Sequence, residues 1–207
     1  MKPILTKLLL LFIILLLFVK CNGTNQNTNL KNIENLKIAY KLEATASAKY
    51  AACAQKTREE GLDRLSVLFL SVSKANSIYA KNCKLALKKF NIEVDSIKPE
   101  FEVKTTLENL KEAIKIESNE IINIYPAFIK IAKNTEAEEV YQWIMKSENS
   151  RILFYNDAIQ AIQQHFTNAF YTLYLVCPKC GNIYYPHQVD EKCSNCNTEK
   201  SKFIPIG

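Results

Sequence analysis

The chain has 207 residues, enough for one domain of ordinary size and a small additional module. Its net charge is +6, but Lys2, Lys7 and Lys20 near the N-terminus supply three of those charges, so the remainder is only mildly basic. This charge excludes the strongly basic surface by which a nucleic-acid-binding domain is recognised, and we expect no nucleic-acid partner.

The first twenty residues have the features of an export signal. Leu8 to Val19 is an unbroken apolar run of twelve residues, with lysines on both sides. A membrane-spanning helix needs about 20 apolar residues, whereas the core of a signal peptide needs fewer. We therefore expect residues 1–20 to be a signal peptide or an uncleaved anchor, and the protein to be exported.

Three fates of this segment remain open. Cys21 follows the apolar run and Lys20, close to where the lipidated cysteine of a bacterial lipoprotein stands. Cleavage after Gly23 and retention as an anchor are the alternatives. The polar stretch 21–29 predicts a flexible tether in all three cases. We expect a protein that is membrane-associated through its N-terminus, or else periplasmic or extracellular.

The region 30–168 has a helical pattern. Helix A is predicted from about Leu30 to Glu60 and helix B from about Leu62 to Phe90, with Gly61 at the turn between them. A longer connection follows, and two further helices then complete a second hairpin. Two short-looped hairpins joined by one long crossover predict a ferritin-like four-helix bundle.

Helices C and D have the same start signal. Thr105 is followed three residues later by Glu108, and Thr135 by Glu138. This spacing is typical of a capping box, in which two side chains satisfy the free N–H groups of a helix start. Tyr125, in the second half of helix C, precedes Pro126, and we assign it a packing role without chemistry.

Polar residues recur at matching heights in the two hairpins. Glu43 precedes Asn76 by 33 residues, and Glu117 precedes Glu148 by 31, so each pair lies nearly level across its turn. Polar groups at one height on four helices predict a shared interior site.

Four of the seven cysteines lie in the C-terminal region 169–207, in two C-x2-C pairs separated by twelve residues. They are Cys177, Cys180, Cys193 and Cys196. Each pair places two sulfurs on a tight turn, and two facing turns form a tetrahedral thiolate cage for iron or zinc. A strand is predicted over Tyr171–Val176, and Phe203–Ile206 is its predicted partner. The module is therefore a small, β-rich metal knuckle.

Cys53 and Cys83 lie outside this module. On two antiparallel helices that turn near Gly61 they are about 20 Å apart, which is too far for a disulfide. We expect both to be buried thiols.

A cysteine knuckle after a four-helix bundle resembles the layout of the rubrerythrins. The cysteine spacing matches the short rubredoxin-like module of that family, and Glu117 to Phe128, ESNEIINIYPAF, is similar to its third helix. The resemblance covers the chain from about Leu30 to the C-terminus. It implies a non-haem iron protein of oxidative-stress defence that passes electrons from a rubredoxin-type centre to a peroxide-reducing di-iron site. It also implies a redox partner protein and a homodimer.

The di-iron ligands of the family carry over only in part. A di-iron bundle takes one Glu from each of two helices and a Glu-x-x-His pair from each of the other two, and rubrerythrins add a further Glu. By position, the carboxylates become Glu43, Glu117, Glu120 and Glu148, and Asn76, Tyr79 and Arg151 replace the remaining ligands. Both histidines are missing, and a guanidinium cannot be a ligand because it stays protonated.

Two interpretations of the bundle therefore remain open. Arg151 supplies the positive charge of a metal-free, salt-bridged core, or the four glutamates retain some metal, since carboxylates alone hold hard cations. We expect at most weak iron binding there. Two functions correspond to these interpretations. The first is a rubrerythrin-type oxidoreductase with an impaired di-iron site, active in electron transfer or peroxide reduction. The second is a non-catalytic scaffold with a structural zinc knuckle.

Overall fold

Two long antiparallel helices form the first hairpin. The structure, a computed structural model, describes the backbone of residues 2–207 and the side chains of residues 27–207 except that of residue 169. Helix α1 extends over Lys2–Glu59 and α2 over Asp63–Lys89. Between them Gly61 has φ +75°, a left-handed conformation that glycine adopts without strain. The predicted turn at Gly61 is confirmed.

The N-terminal predictions fall mostly outside the described side chains. This holds for the signal or anchor, residues 1–20, for lipidation at Cys21, and for most of the tether 21–29. Residues 27–29 are helical, so helix α1 already includes the end of the predicted tether and starts before Leu30. Among the described residues no helix has both the length and the apolar character to cross a membrane.

The second hairpin contains the predicted helix C as three segments, followed by the predicted helix D. The three segments are α3 over Thr106–Asn119, a π-helical turn over Glu120–Ile124, and α4 over Tyr125–Ala132. Pro126 has no N–H and cannot continue an α-helical hydrogen-bond ladder, and the wide turn ends two residues before it, at Ile124. Helix α5 extends over Glu136–Gln163.

Only one of the two predicted capping boxes forms. The Thr105 side chain accepts from the Glu108 N–H, and the Glu108 carboxylate accepts from the Thr105 N–H. The second box is wrong. The Thr135 hydroxyl donates to the Ala132 carbonyl at 2.6 Å, and Glu138 accepts from the Asn134 N–H at 2.7 Å. The preceding turn has taken both side chains, so the α5 start has no side-chain cap from Thr135.

The core lies between the four long helices. Its fully buried apolar side chains include Leu36, Leu68, Phe69, Val72, Ile144 and Tyr155. Cys53 and Cys83 are buried there as free thiols, as predicted. Residues 90–105 connect the hairpins as an extended crossover without helix or strand. The predicted bundle is confirmed.

A three-stranded antiparallel sheet follows the bundle. Its strands are β1 over Tyr174–Val176, β2 over Ile183–Tyr184 and β3 over Ile204–Ile206, in the order β2-β1-β3. Short 3₁₀ turns at Thr167–Ala169 and Lys200–Lys202 complete the secondary structure. The predicted pairing of the first strand with the C-terminus is confirmed, although β1 is shorter than the predicted strand.

Candidate metal centres

The four cysteines converge on one point, as predicted. Each contributes a sulfur, and the four sulfurs all lie within 4.8 Å of one another. The Cys177–Cys196 and Cys180–Cys193 sulfur pairs are each 3.4 Å apart. A tetrahedral site with metal–sulfur bonds of about 2.3 Å places its sulfurs about 3.8 Å apart. The donor set and its spacing therefore fit one tetrahedral metal ion, either iron or zinc.

Two equivalent turns hold these sulfurs. The Gly181 N–H donates to the Cys177 carbonyl, and the Asn197 N–H donates to the Cys193 carbonyl, each at 2.9 Å. Gly181 has φ +72° and Asn197 φ +58°, so each turn ends on a left-handed residue of a type that tolerates it. The similar local sequence of each C-x2-C pair thus produces a similar loop.

Several donors point at the sulfurs and favour the thiolate form. The Cys177 sulfur accepts from the backbone N–H of Lys179, and the Cys180 sulfur accepts from that of Asn182. The Tyr184 hydroxyl lies 3.2 Å from the Cys193 sulfur. Hydrogen bonds of this kind stabilise negative charge on sulfur, and they are one means by which a protein tunes a thiolate-bound metal.

The four glutamates of the bundle also come together. Glu43, Glu117 and Glu148 are at most 2% exposed, and Glu120 is 8% exposed. The predicted interior polar site therefore exists. Among the described residues, however, only the four cysteines form a group of three or more His, Cys, Asp or Glu side chains with all ligand atoms within 4.8 Å of one another.

Arg151 lies within this cluster, bound to Glu117 by two contacts. Its Nε lies 3.2 Å from Glu117 Oε2 and its Nη2 lies 3.0 Å from Glu117 Oε1. Its Nη1 donates to Asn76 Oδ1 at 3.0 Å, and Glu148 Oε1 lies 3.6 Å from Nη2. Arg151 is 1% exposed, so this two-contact ion pair is fully buried.

Three tyrosines complete the cluster. The hydroxyls of Tyr155 and Tyr50 donate to Glu117 Oε1 at 2.6 and 3.2 Å. Tyr125 donates to the carboxylate of Glu43. The prediction that Tyr125 only packs is therefore wrong, because the wide turn at 120–124 places its hydroxyl inside the polar site.

Burial raises the carboxyl pKa values of the cluster. It raises the pKa of Glu43 to about 7, although the Tyr125 hydroxyl opposes the rise. The pKa of Glu120 is raised to about 8 by burial and by the neighbouring Glu43. Burial also raises the pKa of Glu148. For Arg151 burial is the largest single influence and acts against the charge, but Glu117 and the other acidic groups around it together outweigh burial and raise the pKa.

These residues do not fit a complete di-iron site. The family's fourth-helix position is occupied by Arg151, a permanent cation that binds Glu117 and Asn76 instead of leaving them free for a metal. Tyr79, at the second-helix position, directs its hydroxyl away from the glutamates toward Ser147 Oγ, 2.5 Å away. Glu148 Oε2 and Asn76 Nδ2 are buried without a hydrogen-bond partner. The cluster is an acidic core around one guanidinium.

The cysteine knuckle contacts the bundle beside this cluster. The Tyr79 hydroxyl lies 3.3 Å from the Gly181 carbonyl oxygen, and Asn82 donates to the Lys179 carbonyl at 2.8 Å. The Lys179 ammonium lies over the Trp143 ring, 4.9 Å from its centre. The metal-binding loop and the polar cluster therefore share Tyr79 as a common neighbour.

Sequence analysis missed the residues that satisfy Glu117. Tyr155 comes four residues after Arg151, and Tyr50 seven after Glu43, so both spacings place the tyrosine on the face that carries the cluster. That helical spacing could have identified them. Ser147 lies four residues before Arg151 and so shares this face, but its contact with the knuckle depends on tertiary packing, which the spacing does not show.

The comparisons with known proteins agree with this architecture. The rubrerythrin family model matches residues 34–157. Nigerythrin of Nitratidesulfovibrio vulgaris is 30% identical over 182 residues, covering 83% of this chain and 84% of nigerythrin. Rubrerythrin-2 of Clostridium acetobutylicum is 25% identical, covering 84% of this chain and 96% of that protein.

Solved structures show the same relationship. A structure of nigerythrin in a mixed-valence state superposes with a TM-score of 0.76 and 27% identity, covering 84% of this chain and 86% of that one. A bacterioferritin of Desulfovibrio desulfuricans with a di-iron site has a TM-score of 0.60 at 16% identity, which shows a common fold alone. From the family model, the nigerythrin relative and the arrangement of bundle and knuckle, the chain belongs to the rubrerythrin family.

Proposed function

We propose that this protein is an iron protein of oxidative-stress defence whose working redox centre is a single iron at Cys177, Cys180, Cys193 and Cys196. The observation that carries this proposal is the four-thiolate cage, which lies against a rubrerythrin-family bundle. Nigerythrin has been solved in mixed-valence and all-ferrous states, which supports iron as the metal. Bound iron supplies a one-electron couple between its ferric and ferrous states.

The residues around the cage suit electron transfer with a partner protein. Cys177, Cys180 and Cys193 are fully buried, whereas Cys196 is half-buried. The cage thus reaches solvent at the Cys196 edge, while the Gly181 loop rests on the bundle. We assign the Cys196 edge as the contact for a redox partner protein, because electrons cross shorter distances there than through the bundle.

The bundle acts in this proposal as a scaffold with a salt-bridged core and not as an efficient peroxidase. Arg151 engages the carboxylate and the amide that a second metal would need. The rate of peroxide reduction at this cluster is accordingly far below the rate of a complete rubrerythrin. The same filled core is the observation that favours the second candidate function, a non-catalytic scaffold whose knuckle holds zinc.

Metal analysis with visible spectra distinguishes the two functions. Protein produced in iron-replete medium is purified without added metal, and its iron and zinc are counted per chain. We expect one iron, absorbance in the visible that is bleached by dithionite, and slow turnover of hydrogen peroxide. Stoichiometric zinc without visible absorbance would instead establish the scaffold. Rapid turnover of hydrogen peroxide with two or more additional irons per chain would show that Arg151 does not keep iron out of the bundle.

We also propose that the protein is exported and remains membrane-associated through a lipid on Cys21. The support is the twelve-residue apolar run that ends beside this cysteine. The mass of the intact native protein tests it. A mature chain that begins at Cys21 with a lipid is expected. A lipid-free chain that begins at Thr24 would show ordinary secretion, and one that begins at Met1 would show an anchor. Size measurement of the same sample tests the homodimer that the family implies.

A further inference from the structure

We infer that Tyr79 and Ser147 of the bundle are positioning residues for the metal centre, which raise its reduction potential through the peptide group that joins Gly181 to Asn182. This inference rests on the proposed iron at the four cysteines. It concerns residues that are not metal ligands and that lie about 100 positions (Tyr79) and about 35 positions (Ser147) before the peptide they contact.

The first step of the argument is the contact itself. Tyr79 is fully buried on α2, and its hydroxyl lies 2.5 Å from Ser147 Oγ on α5 and 3.3 Å from the Gly181 carbonyl oxygen. Ser147 Oγ lies 3.5 Å from the same carbonyl. Two hydroxyls from two helices therefore face one carbonyl oxygen of the metal-binding loop.

The second step is the other end of that peptide. The N–H of Asn182 belongs to the same amide group as the Gly181 carbonyl, and it donates to the Cys180 sulfur. A hydrogen bond accepted at the carbonyl draws electron density toward oxygen and makes the N–H a stronger donor, since hydrogen bonds in a chain polarise one another. Tyr79 donates its one hydroxyl proton to Ser147 Oγ, and Ser147 donates to the Gly181 carbonyl. The two hydroxyls therefore act in series and strengthen the N–H to sulfur bond at Cys180.

The third step is the effect on redox chemistry. The reduced centre carries one more negative charge than the oxidised centre, and the thiolate sulfurs hold much of it. A stronger N–H to sulfur bond thus favours the reduced form and raises the potential. The Arg151 guanidinium acts in the same direction. It lies 5.5 Å from the centre of the Tyr79 ring, where it withdraws electron density and makes the phenol a better donor.

The close fit at Gly181 makes this contact persistent. A Cβ atom on Gly181 would lie 2.9 Å from Cδ1 and Cζ of Tyr79 and closer still to Cε1. The loop therefore rests directly on the ring, and the two hydroxyls meet the carbonyl without an intervening residue. No other tyrosine among the described residues has its hydroxyl at the carbonyl of a cysteine loop.

Tyr79→Phe and Ser147→Ala in the full chain test the inference. The midpoint potential of the iron-loaded protein is measured by titration of its visible absorbance. Both variants should shift the potential to a lower value, with the double variant shifted less than the sum because Tyr79 acts on the carbonyl through Ser147. Tyr184→Phe should also lower the potential, since it removes a direct donor to sulfur. Tyr141→Phe is the matched control, because its buried hydroxyl has no hydrogen-bond partner.

A second measurement does not depend on redox activity. In zinc-loaded protein labelled with ¹⁵N, the Asn182 amide proton should move upfield in Tyr79→Phe and Ser147→Ala, as expected for a weaker bond to sulfur. It should stay in place in Tyr141→Phe. An unchanged potential together with an unchanged amide shift in both variants overturns the inference. A shifted amide in a protein that contains only zinc when isolated would support the peptide linkage while overturning the proposed electron-transfer function.

Discussion

Arg151 and Glu117 form a buried ion pair with two contacts, Nε to Oε2 at 3.2 Å and Nη2 to Oε1 at 3.0 Å, at the place where the family's bundle binds metal. A carboxylate in the interior is stable only when it is protonated, paired with a charge or bound to a metal. Here the guanidinium performs the pairing for Glu117. Glu148 lies 3.6 Å from the same guanidinium and has a raised pKa. Glu43 and Glu120 also have raised pKa values, and Glu43 accepts from the Tyr125 hydroxyl.

The first prediction concerns this pair. Arg151→Met leaves the carboxylate of Glu117 buried without its counter-charge, and it should lower the free energy of unfolding by about 3–5 kcal/mol. Arg151→Met combined with Glu117→Gln removes both charges and keeps an oxygen acceptor for Tyr155. The double variant should therefore be more stable than Arg151→Met alone. Urea unfolding followed by circular dichroism measures both.

The exposed pair of Lys89 and Glu136 provides the control for that series. Both side chains are 68% exposed, so Lys89→Met should leave the unfolding midpoint unchanged. A double variant that is less stable than Arg151→Met alone would show that Glu117 does not depend on Arg151 for its charge.

The second prediction is a fall in stability as the pH rises from about 5 to 8. The folded-state pKa values of Glu43 and Glu120, about 7 and about 8, lie above the ordinary glutamate pKa of 4.5. Between those limits the folded state binds more protons than the unfolded state, so each carboxyl contributes stability at low pH that is lost as the pH rises through its folded pKa. The charged and titratable side chains around the Glu43 and Glu120 carboxyls stay unchanged in the test. They are Glu117, Glu148, Arg151 and Tyr125.

Glu120→Gln tests this pH dependence. Glu120 lines a groove between α1, the crossover and α3, so solvent protons reach it directly. The variant removes one carboxyl group with a raised pKa. The free energy of unfolding should therefore change less between pH 5 and pH 8, so that the variant loses less stability at pH 8 than the unmodified protein does. The matched change at the exposed Glu139 should leave the profile as it is. The unfolding midpoint in urea is measured at each pH, with chelator present. An unchanged slope in Glu120→Gln would contradict the raised pKa.

The third prediction separates two glycines. Gly181 and Gly61 both have positive φ, +72° and +75°, so alanine at either position is strained by about 1 kcal/mol or more. A Cβ at Gly61 meets nothing within 4 Å, whereas at Gly181 it overlaps the Tyr79 ring. Gly181→Ala should therefore cost about 1–3 kcal/mol more than Gly61→Ala, because it adds overpacking to the strain.

Tyr79→Ala should recover part of that additional cost when combined with Gly181→Ala, since it removes the ring that the new methyl group meets. The variants are compared by thermal unfolding of the metal-loaded protein. Equal losses for Gly181→Ala and Gly61→Ala would show that the knuckle does not rest on Tyr79.

The fourth prediction concerns the knuckle. Cys180→Ser removes one of four thiolates, and it should release the metal and unfold the residues 169–207, because metal binding and folding are coupled in so small a unit. Cys53→Ser is the control, since Cys53 is a buried free thiol in the bundle and lies outside the cage. It should keep a full complement of metal. Metal content after gel filtration, together with the amide spectrum of the C-terminal region, reports both effects.

Sequence patterns predicted the features that depend on neighbours along the chain. The helices follow from apolar periodicity, and the first turn follows from Gly61. The start of the third helix follows from Thr105 and Glu108, and the metal cage follows from the two C-x2-C pairs. Each of these features is decided within a few residues, so the local sequence is sufficient. The level placement of Glu43, Glu117 and Glu148 was also predictable, since the helical rise is constant.

Only the tertiary structure decided which partners the polar side chains take. Thr135 matches a capping box, but the Glu138 N–H donates to the Thr135 backbone carbonyl, and the Thr135 hydroxyl donates to the Ala132 carbonyl. Tyr125 reaches Glu43 because a π-helical turn rotates it inward, and Tyr79 meets Gly181 because the knuckle packs on α2 and α5. Hydrogen bonds between residues far apart in sequence depend on how whole elements pack, and periodicity along one element carries no information about that packing.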